Sequence, residues 1–339
     1  MGGLISYSGI STKIRAMERW RISDAQFSQM AALESVPEAV RFLMKFPPYE
    51  EIFKGLEEKD LHRGMIEQQL NLTQYRDFAK LYKFANRKQR SFLGLYFMHY
   101  EIDILKTCLR NIVGNREQQQ DLSLFNDFFN RHSKVDLERL AACRSIPEFI
   151  ENMKESPCYG VLSALLAKGQ ATLPACETAM DMFYFKGMWK AKDKYLSGKE
   201  RRVIESCFGT RMDMLNLQWI YRCKKYYKLS AGDIYAVIIP VSFHLTKADI
   251  RAMAEAESSE KVYALIRSTW YGRLDEVKEG EEQGLNALSR ELVDRIYQMT
   301  GRREPYSIAA LNSYLYFKER EIERIITTIE QIRYGVATT

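Results

Sequence analysis

One short stretch written three times constrains this chain more than any bulk property. It runs from Ser35-Val36-Pro37-Glu38 to Tyr49, from Ser145-Ile146-Pro147-Glu148 to Tyr159, and more loosely from Ser258-Ser259-Glu260 to Tyr271. In each copy Tyr follows Glu by 11 positions, and the Glu residues recur at intervals of 110 and 112. Ser35 and Ser145, three before Glu with Pro between, open a helix through a capping box. Val40 and Leu43, Ile150 and Met153, and Val262 and Leu265 then share one helical face. Pro47-Pro48 and Pro157 are expected to stop that helix, because proline lacks an N–H and clashes with the preceding turn. The third copy lacks these prolines, so its helix is expected to run on.

A second marker keeps the same period. Asp103, Asp213 and Glu321 lie inside long helical patterns at intervals of 110 and 108. Leu93 and Tyr96 precede the first acid, and Leu311 and Tyr314 the third, at positions ten and seven before it; Val203 and Ser206 fill those places less well in the second. Ile104, Met214 and Ile322 follow directly. The spacing predicts that each acid lies on or beside the buried stripe. Two readings arise: a ring of three carboxylates around a cation, or three acids each bonded within its own helix seam. A seam carboxylate is costly without a partner; Lys106 and Arg324 stand three after the first and third acids, which favours the seam reading, while the second copy has Asn216 there. The repeated Tyr reads as a packing anchor with a bonded hydroxyl. The period predicts three helical repeat units, 1–118, 119–231 and 232–339, with the polar run Arg116–Gln120 at the first boundary.

Helical periodicity continues between the markers. Ser23–Gln26 and Thr246–Asp249 resemble capping boxes, and Val135–Glu138 fills the corresponding place in the middle unit. Gly55, Gly64 and Asn71 are candidate breaks between Glu50 and Leu95. A helix is expected from Leu173 to Trp189 and, beyond Gly198, another from Lys199 to Tyr227. Ala236–Pro240 is the best strand candidate, though a five-residue run ending in Pro makes a poor central strand. Gly280–Gly284 reads as an acidic loop. Hairpin signals are missing, so the predicted fold class is all-α. No apolar run approaches the roughly 18 residues of a membrane span, and the chain opens without a signal-peptide pattern. Six cysteines without CxxC spacing read as free thiols of a reducing cytosol.

The usual motifs of catalysis are not in the sequence. It has no GxxxxGK[ST] or GxGxxG phosphate cradle, no HExxH, and no Gly-x-Ser-x-Gly elbow. Catalytic, cofactor-binding and metal-binding residues are therefore expected to be none. The net charge of +6 is a mild bias. Lys186, Lys190, Lys192, Lys194, Lys199, Arg201 and Arg202, with Arg222, Lys224, Lys225 and Lys228 beside Tyr226 and Tyr227, form the one locally basic region. Such a run reads first as a solvated face, then as a surface for an acidic or lipid partner, and alternatively as a nucleic-acid-binding scaffold over 186–228.

Further residues carry a resemblance. Tyr7 with Lys13-Ile14-Arg15-Ala16-Met17 resembles the opening of the C-type subunits of prokaryotic V/A-type ATPases (ATP synthases), the counterparts of the d-type subunit of eukaryotic V-ATPases. The likeness continues through the Ser-x-x-Glu…Tyr stretches, Tyr100–Lys106, Arg211–Leu217, Ile239-Pro240, Leu245–Ala256 and Lys318–Ile322. The chain departs from the family at Val241-Ser242, where Gly is usual, and in carrying Glu321 and Glu323 instead of an Asp-x-x-Asn pattern. The resemblance implies three pseudo-threefold-related helical subdomains forming a funnel-like body. It implies a non-catalytic rotor adapter between the central stalk (components of D and F type) and the membrane rotor ring, cytoplasmic and peripheral to the membrane. No cofactor and no nucleic-acid partner are implied. Glu38, Tyr49, Asp103, Glu148, Tyr159, Asp213, Glu260, Tyr271 and Glu321 are then structural anchors of the repeat.

Overall fold

The structure is a computed structural model that describes residues 2–114, 123–273 and 281–335. In chain order the α-helices are α1 (Gly2–Glu18), α2 (Asp24–Ala31), α3 (Val36–Leu43), α4 (Pro47–Phe53), α5 (Arg63–Phe84), α6 (Arg87–Val113), α7 (Ser123–His132), α8 (Leu137–Ala141), α9 (Ile146–Glu151), α10 (Tyr159–Ala167), α11 (Leu173–Tyr195), α12 (Gly198–Arg222), α13 (Ala231–Val237), α14 (Lys247–Glu255), α15 (Ser259–Ser268), α16 (Glu281–Arg303) and α17 (Ile308–Tyr334). No strand occurs among the described residues, and the protein is all-α. It divides into two compact units, Met1–Leu173 with Pro305–Thr339, and Pro174–Glu304.

Side-chain caps set many of the helix starts. Ser23 and Gln26, Asn86 and Gln89, Ser230 and Asp233, and Thr246 and Asp249 each bond reciprocally across the first turn. Each box satisfies two N–H groups that the helix leaves unpaired. Ser35, Asp136, Ser145 and Ser258 cap α3, α8, α9 and α15 from the acceptor side.

Several expectations need correction. Pro47 does more than stop a helix: it opens α4, where its fixed φ and missing N–H are tolerated. Gly64 and Asn71 lie inside α5, whose 22 residues hold through tertiary packing. Gly55 does break the chain, with φ of +90°. Ala236 and Val237 end helix α13, and Ile238 then turns extended ahead of Ile239-Pro240. Glu281–Gly284 are helical residues of α16, while Gly280 lies outside the described residues, as do Arg116–Gln120 and the 118/119 boundary. The α12 pattern loosens at its end into a π turn, Cys223–Tyr227, closed by Lys228 in the left-handed region.

In the first unit the last helix completes the core of α2–α5. Ile322, Ile325 and Ile329 of α17 join a core with Phe27, Met30, Val40, Leu43, Tyr49, Phe53, Ile66 and Leu70. Each such side chain removed from water contributes about 1.5–3 kcal/mol. Rings of α5, α6 and α7 make a second core, with Tyr75 and Phe128 stacked at 4.9 Å and Phe78 edge-on to Tyr100 at 5.7 Å. In the second unit α12 packs on α15 and α16, burying Ile204, Phe208, Leu217, Ile220, Val262, Ile266, Leu292 and Tyr297.

Candidate functional site

The second unit shows how a long helix grips the segment that follows it in the chain. Gly209, Asp213 and Asn216 follow at i, i+4 and i+7 and so form one stripe of α12. Asp213 is fully buried. Its carboxylate accepts the N–H groups of His244 at 2.7 Å, Leu245 at 3.0 Å and Phe243 at 3.2 Å, and the Tyr271 hydroxyl at 2.8 Å. Burial pushes the carboxyl above its ordinary range, and those four donors oppose the rise. Burial, then the Asp213 charge, pushes the Tyr271 phenol far above its usual value, so it remains a donor. Asn216 pairs with both backbone groups of Ile239, accepting at 2.8 Å and donating at 2.9 Å. Gly209 leaves room for the Phe243 ring, since a Cβ there would stand 2.4 Å from Phe243 Cγ. Segment 239–245 is thereby clamped immediately before the Thr246 cap.

Helix α17 repeats the arrangement in the first unit. Glu321 accepts the N–H of Ile22 at 2.8 Å, just before the Ser23 cap. Lys318, itself buried, donates to Glu321 at 3.4 Å and to the Tyr49 hydroxyl at 3.0 Å, with Asp77 at 4.0 Å. Asp77 in turn accepts from Tyr314 at 2.7 Å and Lys80 at 3.3 Å. In both seams the acid binds the backbone that leads into a short capped helix, α14 or α2, and is tied to a Tyr further along, Tyr271 or Tyr49. The tie is direct at Tyr271 and runs through Lys318 at Tyr49.

Helix α6 carries the same device two residues early. Asp103 points outward, its side chain 52% exposed and 3.5 Å from His99, which overturns the expected burial. The buried acid is Glu101, which accepts the Ser133 hydroxyl. Ser133 accepts the Val135 N–H at 2.9 Å, directly before the Asp136 cap. Two residues along a helix are about 200° apart, so the buried Ile104 beside Asp103 did not decide which face the acid takes. Here burial is the larger influence and raises the Glu101 carboxyl, with the Ser133 bond opposing. A raised acid makes the fold hold its proton more tightly than the unfolded chain. Its stabilisation is therefore full below the unfolded value near 4.5 and is lost as pH rises through the folded pKa. Glu101→Gln is expected to match the parent at pH 4 and to become the more stable of the two toward pH 8. Each pKa unit of the rise is worth about 1.4 kcal/mol. Urea midpoints of both proteins across that range check it, and a gap that stays flat with pH refutes it.

The remaining anchors fall in different settings. Glu38 and Glu148 reach back to the N–H groups of Glu34 and Arg144 at 3.2 and 2.9 Å. Glu260 sits one position nearer its cap, because Ser258 caps onto Lys261, and it bonds Ser259 instead. Tyr159 is only half-buried, while its neighbour Cys158 is fully buried. Arg324, expected beside Glu321, lies over the Phe27 ring and pairs with Asp24.

The basic region is partly neutralised from within its own unit. Lys192 is buried against Asp193 and Glu205, and Arg201 reaches Asp193 at 2.7 Å. Lys199 meets Glu304 at 3.5 Å. Arg222, Lys225 and Tyr226 all converge on Glu282, which weakens the case for a phosphate-tracking groove.

All six cysteines are buried free thiols, and burial pushes Cys108 and Cys158 up to about 12, far from thiolate. Among the described residues no cluster of His, Cys, Asp and Glu is placed to hold a metal ion, and no helix is long and apolar enough to cross a membrane. A roomy cleft of about 270 Å³ lies in the first unit above Lys318, Asp77 and Glu321, and was not visible in the sequence. Its walls come from four separate stretches, 13–21, 47–51, 77–80 and 314–321.

Against known proteins, the family described as ATP synthase (C/AC39) subunit matches residues 10–339. The C-type subunit of the A-type ATP synthase of Thermococcus kodakarensis is 21% identical over 97% of this chain and 87% of its own length. That of Pyrococcus abyssi is 24% identical over 97% and 87%. The Haloquadratum walsbyi protein of the same name is 23% identical over 93% and 91%.

Proposed function

We propose, from the premise that this chain belongs to the ATP synthase (C/AC39) subunit family, that it is the non-catalytic rotor adapter of a rotary ATPase. It links the central stalk to the membrane ion-translocating ring and carries torque between them. The observation behind this reading is the use made of the buried acids. Asp213, Glu321 and Glu101 have donors in the segments that lead into α14, α2 and α8, so the acids lock helices together and are not left for chemistry. A torque-bearing part needs packed, hydrogen-bonded seams of low compliance. The three repeat units, 1–118, 119–231 and 232–339, closed about a pseudo-threefold axis into a funnel, supply such a part. Its place is the cytoplasmic face, peripheral to the membrane, with stalk components of D and F type and the rotor ring as neighbours.

The test is assembly. Removing the chain from the complex is expected to leave the catalytic head able to hydrolyse ATP while ion transport is uncoupled. The isolated chain is expected to hydrolyse no ATP and to be retained by stalk and ring together in pull-down. Hydrolysis that follows the isolated chain through purification, or ion transport that survives its removal, refutes the reading.

A further inference from the structure

The cleft of the first unit has a neutral floor and a cationic mouth. On the floor two buried acids, Asp77 and Glu321, face two lysines, Lys318 and Lys80. Hydroxyls of Tyr49 and Tyr314 and the Ile22 N–H add further bonds. At the mouth stand Lys13, Arg19 and Arg21 around Trp20. These three cations lie over rings, Lys13 over Phe84 at 5.8 Å, Arg19 over Trp20 at 4.7 Å and Arg21 over Phe317 at 4.8 Å. Among the described residues none of the three forms an ion pair with a carboxylate. The mouth's one acid, Glu51, is already paired with Arg76 at 3.3 Å. Burial raises the nearby Glu18 carboxyl while Arg21 and Arg15 lower it, which balances part of the Arg21 charge. The mouth still holds an excess of positive charge over a recess about 270 Å³ in volume.

We propose that this cleft is a binding site for a phosphate-bearing small molecule, with Arg19 and Arg21 as the forked donors and Lys13 as a point charge. Two guanidinium groups match the paired oxygens of a phosphate, and several cations about one recess favour a ligand carrying more than one negative charge. Lys318 fixes the depth of the site, since its amine is committed to Tyr49 and Glu321 at the floor. The shared chemistry is the phosphate, whether carried by a soluble compound or by an anionic lipid headgroup. The proposal does not depend on the rotor reading.

The test uses the full chain and pyrophosphate as probe. Calorimetry at about 50 mM salt, where exposed charges are lightly screened, is expected to show one saturable site. Arg19→Glu/Arg21→Glu is expected to weaken it at least tenfold and Arg19→Ala, a milder change at an exposed position, about threefold. Lys224→Glu/Lys228→Glu, in the other basic region, is expected to leave it unchanged. Dichroism and thermal midpoints confirm that each variant is folded. Binding that never saturates, or that survives the Arg19/Arg21 changes, or that falls with Lys224/Lys228 instead, overturns the proposal. A competition arm then names the source. Displacement of pyrophosphate by vesicles containing anionic phospholipid, but not by neutral ones, assigns a headgroup, and displacement by soluble nucleotide alone assigns a free phosphate compound.

Discussion

Asp213→Ala is expected to lower the stability of the second unit by about 3–5 kcal/mol, while Asp103→Ala costs under about 0.5 kcal/mol. Sequence treats these acids as equivalent, and the structure separates them. Asp213 is fully buried and collects four donors. Alanine strands three backbone N–H groups and a phenol without an acceptor, and also leaves a void beside Phe243. Asp103 is half exposed at the side of α6, where water replaces whatever the carboxylate gave up. Asp213→Asn keeps one oxygen but turns an NH₂ toward other donors, so an intermediate loss near ~2 kcal/mol is expected. Urea titrations of the three variants decide the matter. If Asp213→Ala lands within about 1 kcal/mol of Asp103→Ala, the clamp contributes nothing and the seam account fails.

Lys318→Met is expected to cost about 3 kcal/mol, the scale for deleting one member of a buried charge group. The methionine fills similar volume, so the loss is electrostatic: Glu321 and Tyr49 both lose the Lys318 amine, while the Ile22 N–H stays on Glu321. Asp77 suffers less, because Tyr314 and Lys80 remain on it. Adding Glu321→Gln to Lys318→Met is expected to restore roughly 1–2 kcal/mol, because the stranded charge is then gone while the amide oxygen still accepts from Ile22. Strict additivity of the two changes would mean that lysine and glutamate do not sense each other across 3.4 Å.

The all-α class and the caps were legible because both are local. Ser23, Ser35, Ser145 and Thr246 announce their helices within four residues. The seams were half legible. The period located Asp213 and Glu321, but matching acid to acid in α6 selected Asp103 over Glu101, since a residue type carries no record of which face it occupies. A single shift at Ser258 likewise moved Glu260 away from the role of Glu38 and Glu148. The partners of the acids, Ile22 and residues 243–245, offered no signal at all, because they contribute backbone N–H groups that every sequence possesses. The cleft was hidden for another reason: its walls meet only after α1, α4, α5 and α17 have packed.

The ribosome makes α17 long after the short helices α2 to α4, yet those helices lean on Ile322, Ile325 and Ile329 to shield their greasy side. Until α17 emerges that side stays uncovered, and a nascent chain halted short of it carries an open wound where the missing helix belongs. Long-range closure of this kind is slow and exposes sticky intermediates. A chain truncated before α17 is therefore expected to expose Phe27, Val40 and Leu43 to water and to aggregate more readily than the full chain.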